Sequence, residues 1–281
     1  MTQTQLFRPE LEGLPQRPVD GSRRLEVVIT VKAAPTPSAT YGETVCVAGI
    51  SADLSAPGWI RLYPINFRYL EQDRKFRKYD IVSVDATPNR KDDWRAESYR
   101  PNIDSLTVLR HLKDWKRRRP WLDPYVEPSM CALNNATRED AHSRSLGLVR
   151  VADVGGLDIE THPGWTPDEK RKIEGYVNQL QLFRDDDRTP LRAPRFRGYY
   201  KWRCTESTCG GHRQGLIDWE FVALQRRLVG SNDSDAFHAL RQRWVDELCS
   251  TRNEVAFYVG NQAKHPQTFS VLGVYYPRIK G

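Results

Sequence analysis

The sequence predicts an α+β protein with an N-terminal small β-barrel, a helical connector and a C-terminal α+β unit. Three observations lead to this fold class. Short β-branched and apolar runs, separated by turn residues, crowd the first third of the chain. Helix-start signals and basic runs follow them, and the last third returns to strand-like runs around one helical pattern.

The composition indicates a polar globular protein. The chain has 281 residues, of which 39% are hydrophobic and 28% charged, and its net charge of +7 favours polyanionic partners. Five cysteines are too few for a disulfide framework and fit a reducing cytoplasm. No apolar run reaches the ~20 residues that span a bilayer, and the first nine residues lack the apolar core of a secretory leader. We therefore expect a cytoplasmic protein without a membrane partner.

Four strand patterns define the predicted barrel. Residues 1–22 are rich in Pro, Gly and Arg and predict a flexible arm, and residues 23–101 predict the barrel. Its strands are expected at residues 25–31, 44–50, 59–63 and 80–84, because these runs are apolar and β-branched. Closely spaced short strands with turn signals between them are typical of a small barrel or a strongly curved sheet.

The predicted connector spans residues 102–190 and the C-terminal unit residues 191–281. Residues 114–119 predict a short helix that stops at Pro120, and residues 127–145 predict irregular chain. Thr166 followed by Pro167 is a helix start. The remaining predicted elements are strands at 146–151, 195–203, 215–221, 255–260 and 269–276 and a helix starting at Asp233 or Ser234. The strand at 215–221 could run on into a helix.

Two strands of the predicted barrel carry a specific pattern. Cys-Val-Ala-Gly-Ile occupies residues 46–50, Trp-Ile-Arg occupies residues 59–61, and Glu97 follows near the end of the unit. This pattern resembles the bacterial dual-OB-containing domain. The resemblance implies that the N-terminal barrel is OB-like and, by analogy of fold, that it binds single-stranded nucleic acid.

The whole chain also resembles a family of bacterial proteins without an assigned activity. That family has a Ser-Leu-Gly strand, a Cys…Cys…Gly-His…Asp-Trp-Glu block and a Val-Gly-Asn-Gln strand. Here these stand at residues 145–147, 204–220 and 259–262.

A basic and aromatic segment at residues 110–121 is the predicted nucleic-acid-binding site. Phosphates need cations and unstacked bases need flat π faces, and this segment offers both. Its candidate residues are Arg110, Lys113, Trp115, Lys116, Arg117, Arg118, Arg119 and Trp121. The alternative is a solvated helix face whose two tryptophans turn into the core.

Cys204, Cys209 and His212 form a candidate zinc site. Two thiolates and an imidazole close in sequence, with a Gly pair that lets the chain turn, suit tetrahedral Zn²⁺. A fourth ligand is missing locally, and Asp218, Cys249 or His265 could supply it. Such a closed site would be structural. The alternative is two ordinary loop cysteines beside a surface histidine.

Asp218, Glu220 and His212 form a candidate catalytic group. Both carboxylates would face the same way on a strand, and paired carboxylates can hold Mg²⁺ for phosphodiester cleavage. Val222 stands where many restriction-type nucleases carry lysine. The alternative is that both carboxylates pair with the abundant arginines.

The preferred prediction is a non-catalytic protein that binds single-stranded DNA or RNA, in a bacterial defence or mobile-element context. One alternative is a metal-dependent nuclease that uses Asp218, Glu220 and His212. The other alternative is a protein-interaction subunit of a larger assembly.

Overall fold

The computed structural model describes residues 21–91, 93–127, 129–181 and 189–279, and it describes no side chain in residues 178–181. The flexible arm predicted for residues 1–22 therefore lies, up to residue 20, outside the described residues. No helix in the described ranges combines the length and apolar character needed to cross a membrane.

The first sheet closes into a small barrel. Its seven strands are Arg23–Lys32 (β1), Thr36–Ser38 (β2), Gly42–Ser51 (β3), Trp59–Ile65 (β4), Asp80–Pro88 (β5), Ser98–Pro101 (β6) and Thr107–His111 (β7). Strands β1, β3, β4, β6 and β5 pair in that order, and β5 pairs again with β1. Only β4 and β6 run parallel around this ring, while β2 and β7 extend it on β3 and β5. The four strands predicted in this region are confirmed.

Two short helices and one short strand connect the barrels. They are Trp115–Leu122 (α1), Val126–Glu127 (β8) and Met130–Glu139 (α2). Helix α1 continues past Pro120, where the sequence predicted its end. The prediction of irregular chain at residues 127–145 was wrong, because α2 lies there. The Ser129 hydroxyl accepts the Ala132 N–H at 2.8 Å and caps α2, and Met130 and Leu133 anchor the helix in the core.

The C-terminal half forms a second barrel. Its elements are Leu146–Thr161 (β9), Pro167–Gln181 (α3), Phe196–Cys204 (β10), His212–Leu216 (β11), Trp219–Arg227 (α4), Asp233–Arg241 (α5), Ala256–Gln262 (β12) and His265–Tyr275 (β13). Strands β9, β10, β11, β13 and β12 pair in that order, and β9 pairs with both β10 and β12. Strand β8 adds to β9 in parallel.

The two barrels share one connectivity. We number the five strands that close each barrel in the order in which they occur along the chain. Around each ring they pair in the order first, second, third, fifth, fourth and back to the first, and the third and fifth strands run parallel. This is the five-stranded Greek-key arrangement of an OB fold. The predicted α+β class, N-terminal barrel and helical connector are confirmed, and the C-terminal unit is a second barrel with helices. How the chain divides into independent domains stays a prediction with the boundaries given above.

Strands at the junction of the barrels are buried on both faces. Val27 and Ile29 of β1 face the interior of the first barrel, whereas Val28 faces an apolar cluster between the barrels. On β12, Phe257 faces the second interior and Tyr258 faces the same inter-barrel cluster. Burial on both faces explains why these strands read as continuous apolar runs rather than as alternating ones.

Buried charges also join the barrels. Asp93 pairs with Arg95, whose Nε donates to Asp93 Oδ1 at 2.7 Å, and Arg95 Nη1 donates to the Asn261 carbonyl of the second barrel at 2.6 Å. Arg61 Nη2 donates to Ser145 Oγ at 2.9 Å, and that hydroxyl in turn bonds the Glu97 carboxylate. All of these groups are buried, so the barrels meet through buried hydrogen bonds and ion pairs as well as apolar packing.

Candidate functional site

Four potential metal ligands meet beside the second barrel. Cys204 ends β10, Cys209 lies in the hairpin loop, His212 begins β11, and Cys131 reaches them from helix α2. Their ligand atoms all lie within 4.8 Å of one another. Cys204, Cys209 and His212 were predicted from their spacing, whereas Cys131 was not.

The distances fit a tetrahedral metal site. With zinc–sulfur bonds of about 2.3 Å and a zinc–nitrogen bond of about 2.0 Å, sulfur atoms should lie ~3.8 Å apart and sulfur and nitrogen ~3.5 Å apart. Cys131 Sγ lies 3.8 Å from Cys204 Sγ and 3.7 Å from His212 Nε2, and Cys209 Sγ lies 3.2 Å from the same nitrogen. A disulfide would bring two sulfur atoms to ~2.05 Å, and all of these cysteines are free.

The cluster brings ionisable groups close together. Burial and the neighbouring Cys204 and Cys209 sulfurs raise the pKa of the Cys131 thiol to about 12. Burial would also raise the pKa of Cys204, but the hydrogen bond with His212 lowers it to about 6. One thiol therefore holds its proton while its neighbour favours the thiolate, and a bound cation would favour ionisation of both.

The predicted fourth ligands lie elsewhere. Asp218 is the N-cap of α4, and Cys249 Sγ contacts the Trp244 carbonyl at 3.3 Å. His265 lies exposed at the start of β13. Cys131 was not predicted as a ligand because helix α2 was not predicted. The chain has only five cysteines, so each of them was already a candidate ligand.

The candidate catalytic group of Asp218, Glu220 and His212 does not come together in one site. Residues 215–221 are not one strand, because β11 ends at Leu216 and Asp218 caps α4, accepting the Glu220 N–H at 2.7 Å. His212 begins β11, whereas Asp218 lies two residues beyond the other end of that strand. Burial raises the pKa of Asp218 to about 7. The premise that both carboxylates share one strand face was wrong, and His212 belongs to the metal-ligand cluster instead.

The basic segment has a solvent-facing half. Arg110 on β7 and Lys113 and Lys116 around the start of α1 are exposed, and their side chains form no ion pair within the described ranges. Arg117 is also exposed and pairs with Asp114, which caps α1 by accepting the Arg117 N–H at 3.0 Å. Exposed ion pairs of this kind are weak, so these cations can still bind phosphates.

The other half of the segment holds the barrels together. Arg119 binds both oxygens of Glu254 at 3.0 and 3.1 Å, and Arg118 lies 4.2 Å above the Tyr79 ring. Trp115 meets Tyr275 edge-on with ring centroids 5.0 Å apart, and Trp121 packs on the inter-barrel cluster. These four side chains are half-buried, and their contacts fix the position of α1.

Fold and site together define a protein of two OB-type barrels with a cluster of three cysteines and one histidine beside the second barrel. Residues 126–280 match a family model described as a domain of unknown function (DUF8757), and the chain belongs to this family. Residues 23–124 match a second domain of unknown function (DUF8758).

No protein of curated function matches the chain significantly. Among solved structures, the chain is similar to the one titled crystal structure of the tetrameric p202 HIN2. That similarity has 9% identity and a TM-score of 0.27, and it covers 94% of this chain and 98% of the other.

Proposed function

We propose that this protein binds single-stranded nucleic acid without cleaving it. The observation that carries the proposal is the pair of barrels with OB connectivity, because this fold presents an open strand face and loops to oligonucleotides. Exposed cations at Arg110, Lys113 and Lys116 and a net charge of +7 supply the attraction for phosphates. The bacterial defence or mobile-element context stays a prediction from the resemblance.

Replacing Lys113 and Lys116 with glutamine should weaken binding to oligothymidylate and oligouridylate. Each lost phosphate contact removes about 0.7 from the slope of log affinity against log salt for single strands, so the double variant should lose roughly 1.4. Fluorescence anisotropy over a salt series measures both quantities.

Lys170→Gln with Lys172→Gln is the control, because it removes the same charge from helix α3. A wild-type protein that binds no single-stranded oligonucleotide, or binds it equally at every salt concentration, would refute the proposed function.

We also propose that Cys131, Cys204, Cys209 and His212 bind one structural zinc ion. Three thiolates and one imidazole form a closed donor set that suits zinc, and a structural zinc leaves no open position for catalysis. The site would tie α2 to the β10–β11 hairpin. A hydrogen bond between Ser129 at the start of α2 and Glu206 in the hairpin also links these two elements.

Protein purified without added metal should contain one zinc per chain. Elemental analysis measures the content, and a thermal melt after treatment with a strong chelator should show a lower Tm because the metal binds only the folded site. Re-adding zinc should restore the Tm. Metal-free protein whose Tm does not respond to chelator or zinc would exclude the site.

A further inference from the structure

The two barrels differ in whether their ligand face is open. In an OB barrel the second and third strands form that face. In the first barrel these are β3 and β4, whose residues are buried except for Cys46, Tyr63 and Pro64, which are half-buried. Helix α3 packs on β3, where the Tyr176 ring lies against Gly42, and Arg61 of β4 bonds Ser145 of the second barrel. The first face is therefore covered.

The corresponding face of the second barrel is open. Burial alternates along β10, so Phe196, Tyr200 and Trp202 point into the core while the residues between them point out. The outward residues are Arg197, Tyr199, Lys201 and Arg203, of which the three cations are exposed and Tyr199 is half-buried. On β11, Arg213 is exposed and lies opposite Lys201.

This face carries the chemistry of a single-strand site. From Arg197 to Arg203 the cations form a row roughly 20 Å long, since a strand rises about 3.3 Å per residue. The Arg213 guanidinium lies 3.9 Å from the centroid of the Tyr199 ring and presents a flat cation beside an aromatic ring. Gly215 lies opposite Tyr199 and leaves the neighbouring position without a side chain. Phosphates need the cations, and bases stack on flat groups of this kind.

Acidic residues on β9 lie beside the row of cations on β10 without neutralising all of its charge. Asp158 pairs with Lys201 at 2.9 Å and Glu160 pairs with Arg213 at 2.7 Å. In the strand register Glu160 also lies opposite Arg197, and Asp153 lies opposite Arg203. Arg197 and Arg203 form no ion pair with any described residue. The existing pairs lie at the surface, where the four side chains are between 33% and 55% exposed. Such pairs contribute little stability, so a phosphate can replace either carboxylate.

We propose that single-stranded nucleic acid lies across the outward face of β10 and β11, with Arg197 and Arg203 as its main phosphate contacts. The proposal rests on the proposed function and places its principal surface on the second barrel. The cluster of Cys204, Cys209 and His212 at one end of the same two strands would hold this face in shape.

The test compares three double variants for anisotropy binding to oligothymidylate and oligouridylate. They are Arg197→Gln with Arg203→Gln on the face, Lys113→Gln with Lys116→Gln on the basic segment, and Arg24→Gln with Arg77→Gln on the first barrel. Circular dichroism melts confirm that each variant folds. We expect the face variant to weaken binding at least tenfold and to lower the salt slope by about 1.4, since two contacts are lost. The first-barrel variant should bind like wild type.

Wild-type binding that persists unchanged in the folded face variant overturns this inference and leaves the proposed function standing. A wild-type protein that binds neither oligomer overturns the proposed function itself. Equal losses in the face and first-barrel variants would also overturn the inference, because they would show a general charge effect.

Discussion

Replacing Cys131 with serine is expected to release the proposed zinc ion and destabilise the second barrel. In the proposed zinc site Cys131 is the ligand that joins α2 to the cluster, and its sulfur lies within 3.8 Å of both Cys204 Sγ and His212 Nε2. Structural zinc binds with about 10–16 kcal/mol, so one of four ligands accounts for ~3 kcal/mol, or about a hundredfold in affinity. The loss should lower the Tm by on the order of 10 °C.

Zinc content, competition with a chromogenic chelator and a thermal melt measure this effect. Cys249→Ser is the matched control, because Cys249 is also a half-buried cysteine but contacts the Trp244 carbonyl instead of the cluster. The control should retain zinc and resist the chelator like wild type. If Cys131→Ser kept one zinc at unchanged affinity, Cys131 would not be a ligand.

Replacing Asp93 with alanine should cost about 3–5 kcal/mol of unfolding free energy, because it leaves the buried Arg95 guanidinium without its anion. The side chains of Asp93 and Arg95 are 1% and 8% exposed. Ser98 Oγ also donates to Asp93 at 2.9 Å, so the substitution breaks a network rather than a single pair. Urea unfolding at neutral pH measures the loss.

Asp85→Ala is the control for that experiment, because Asp85 pairs with Arg24 on the surface, where both side chains are more than 40% exposed. It should change stability far less. A loss in Asp93→Ala no larger than that in Asp85→Ala would show that the buried pair is not needed to hold the barrels.

The same pair predicts a pH dependence. Burial alone would raise the pKa of Asp93, but the hydrogen bonds and charge of Arg95, together with Arg61, hold it below its ordinary value of 3.8. A depressed native pKa means that the unfolded chain binds the proton more tightly. The stabilisation is therefore complete above the ordinary pKa and disappears as the pH falls through the native pKa. Wild type and Asp93→Asn should converge in stability only in strong acid.

Local patterns predicted the elements that have local causes. Apolar β-branched runs predicted β1, β3, β4 and β5, and each is a strand. Thr166 with Pro167 predicted the start of α3. The Thr166 hydroxyl accepts the Glu169 N–H and the Glu169 carboxylate accepts the Thr166 N–H, which is a capping box. The short spacing of Cys204, Cys209 and His212 likewise predicted ligands that a single hairpin brings together.

Patterns failed where distant segments decide the outcome. Cys131 precedes Cys204 by 73 positions, and only the packing of α2 against the second barrel brings their sulfurs together. The roles of Arg118 and Arg119 depended on Tyr79 and Glu254, which no spacing rule connects to them. The run at residues 215–221 was predicted as a strand that could run on into a helix, and the Asp218 cap decides where that helix begins.

By itself, the sequence determined the α+β class, the first barrel, three of the four clustered ligands and the excess of positive charge. Only the tertiary structure decided that the second half is also a barrel, that Cys131 completes the cluster and that the second barrel keeps its strand face open. The reason is physical: propensity and periodicity act over a few neighbouring residues, whereas burial, ion pairing and ligand geometry depend on which distant surfaces meet.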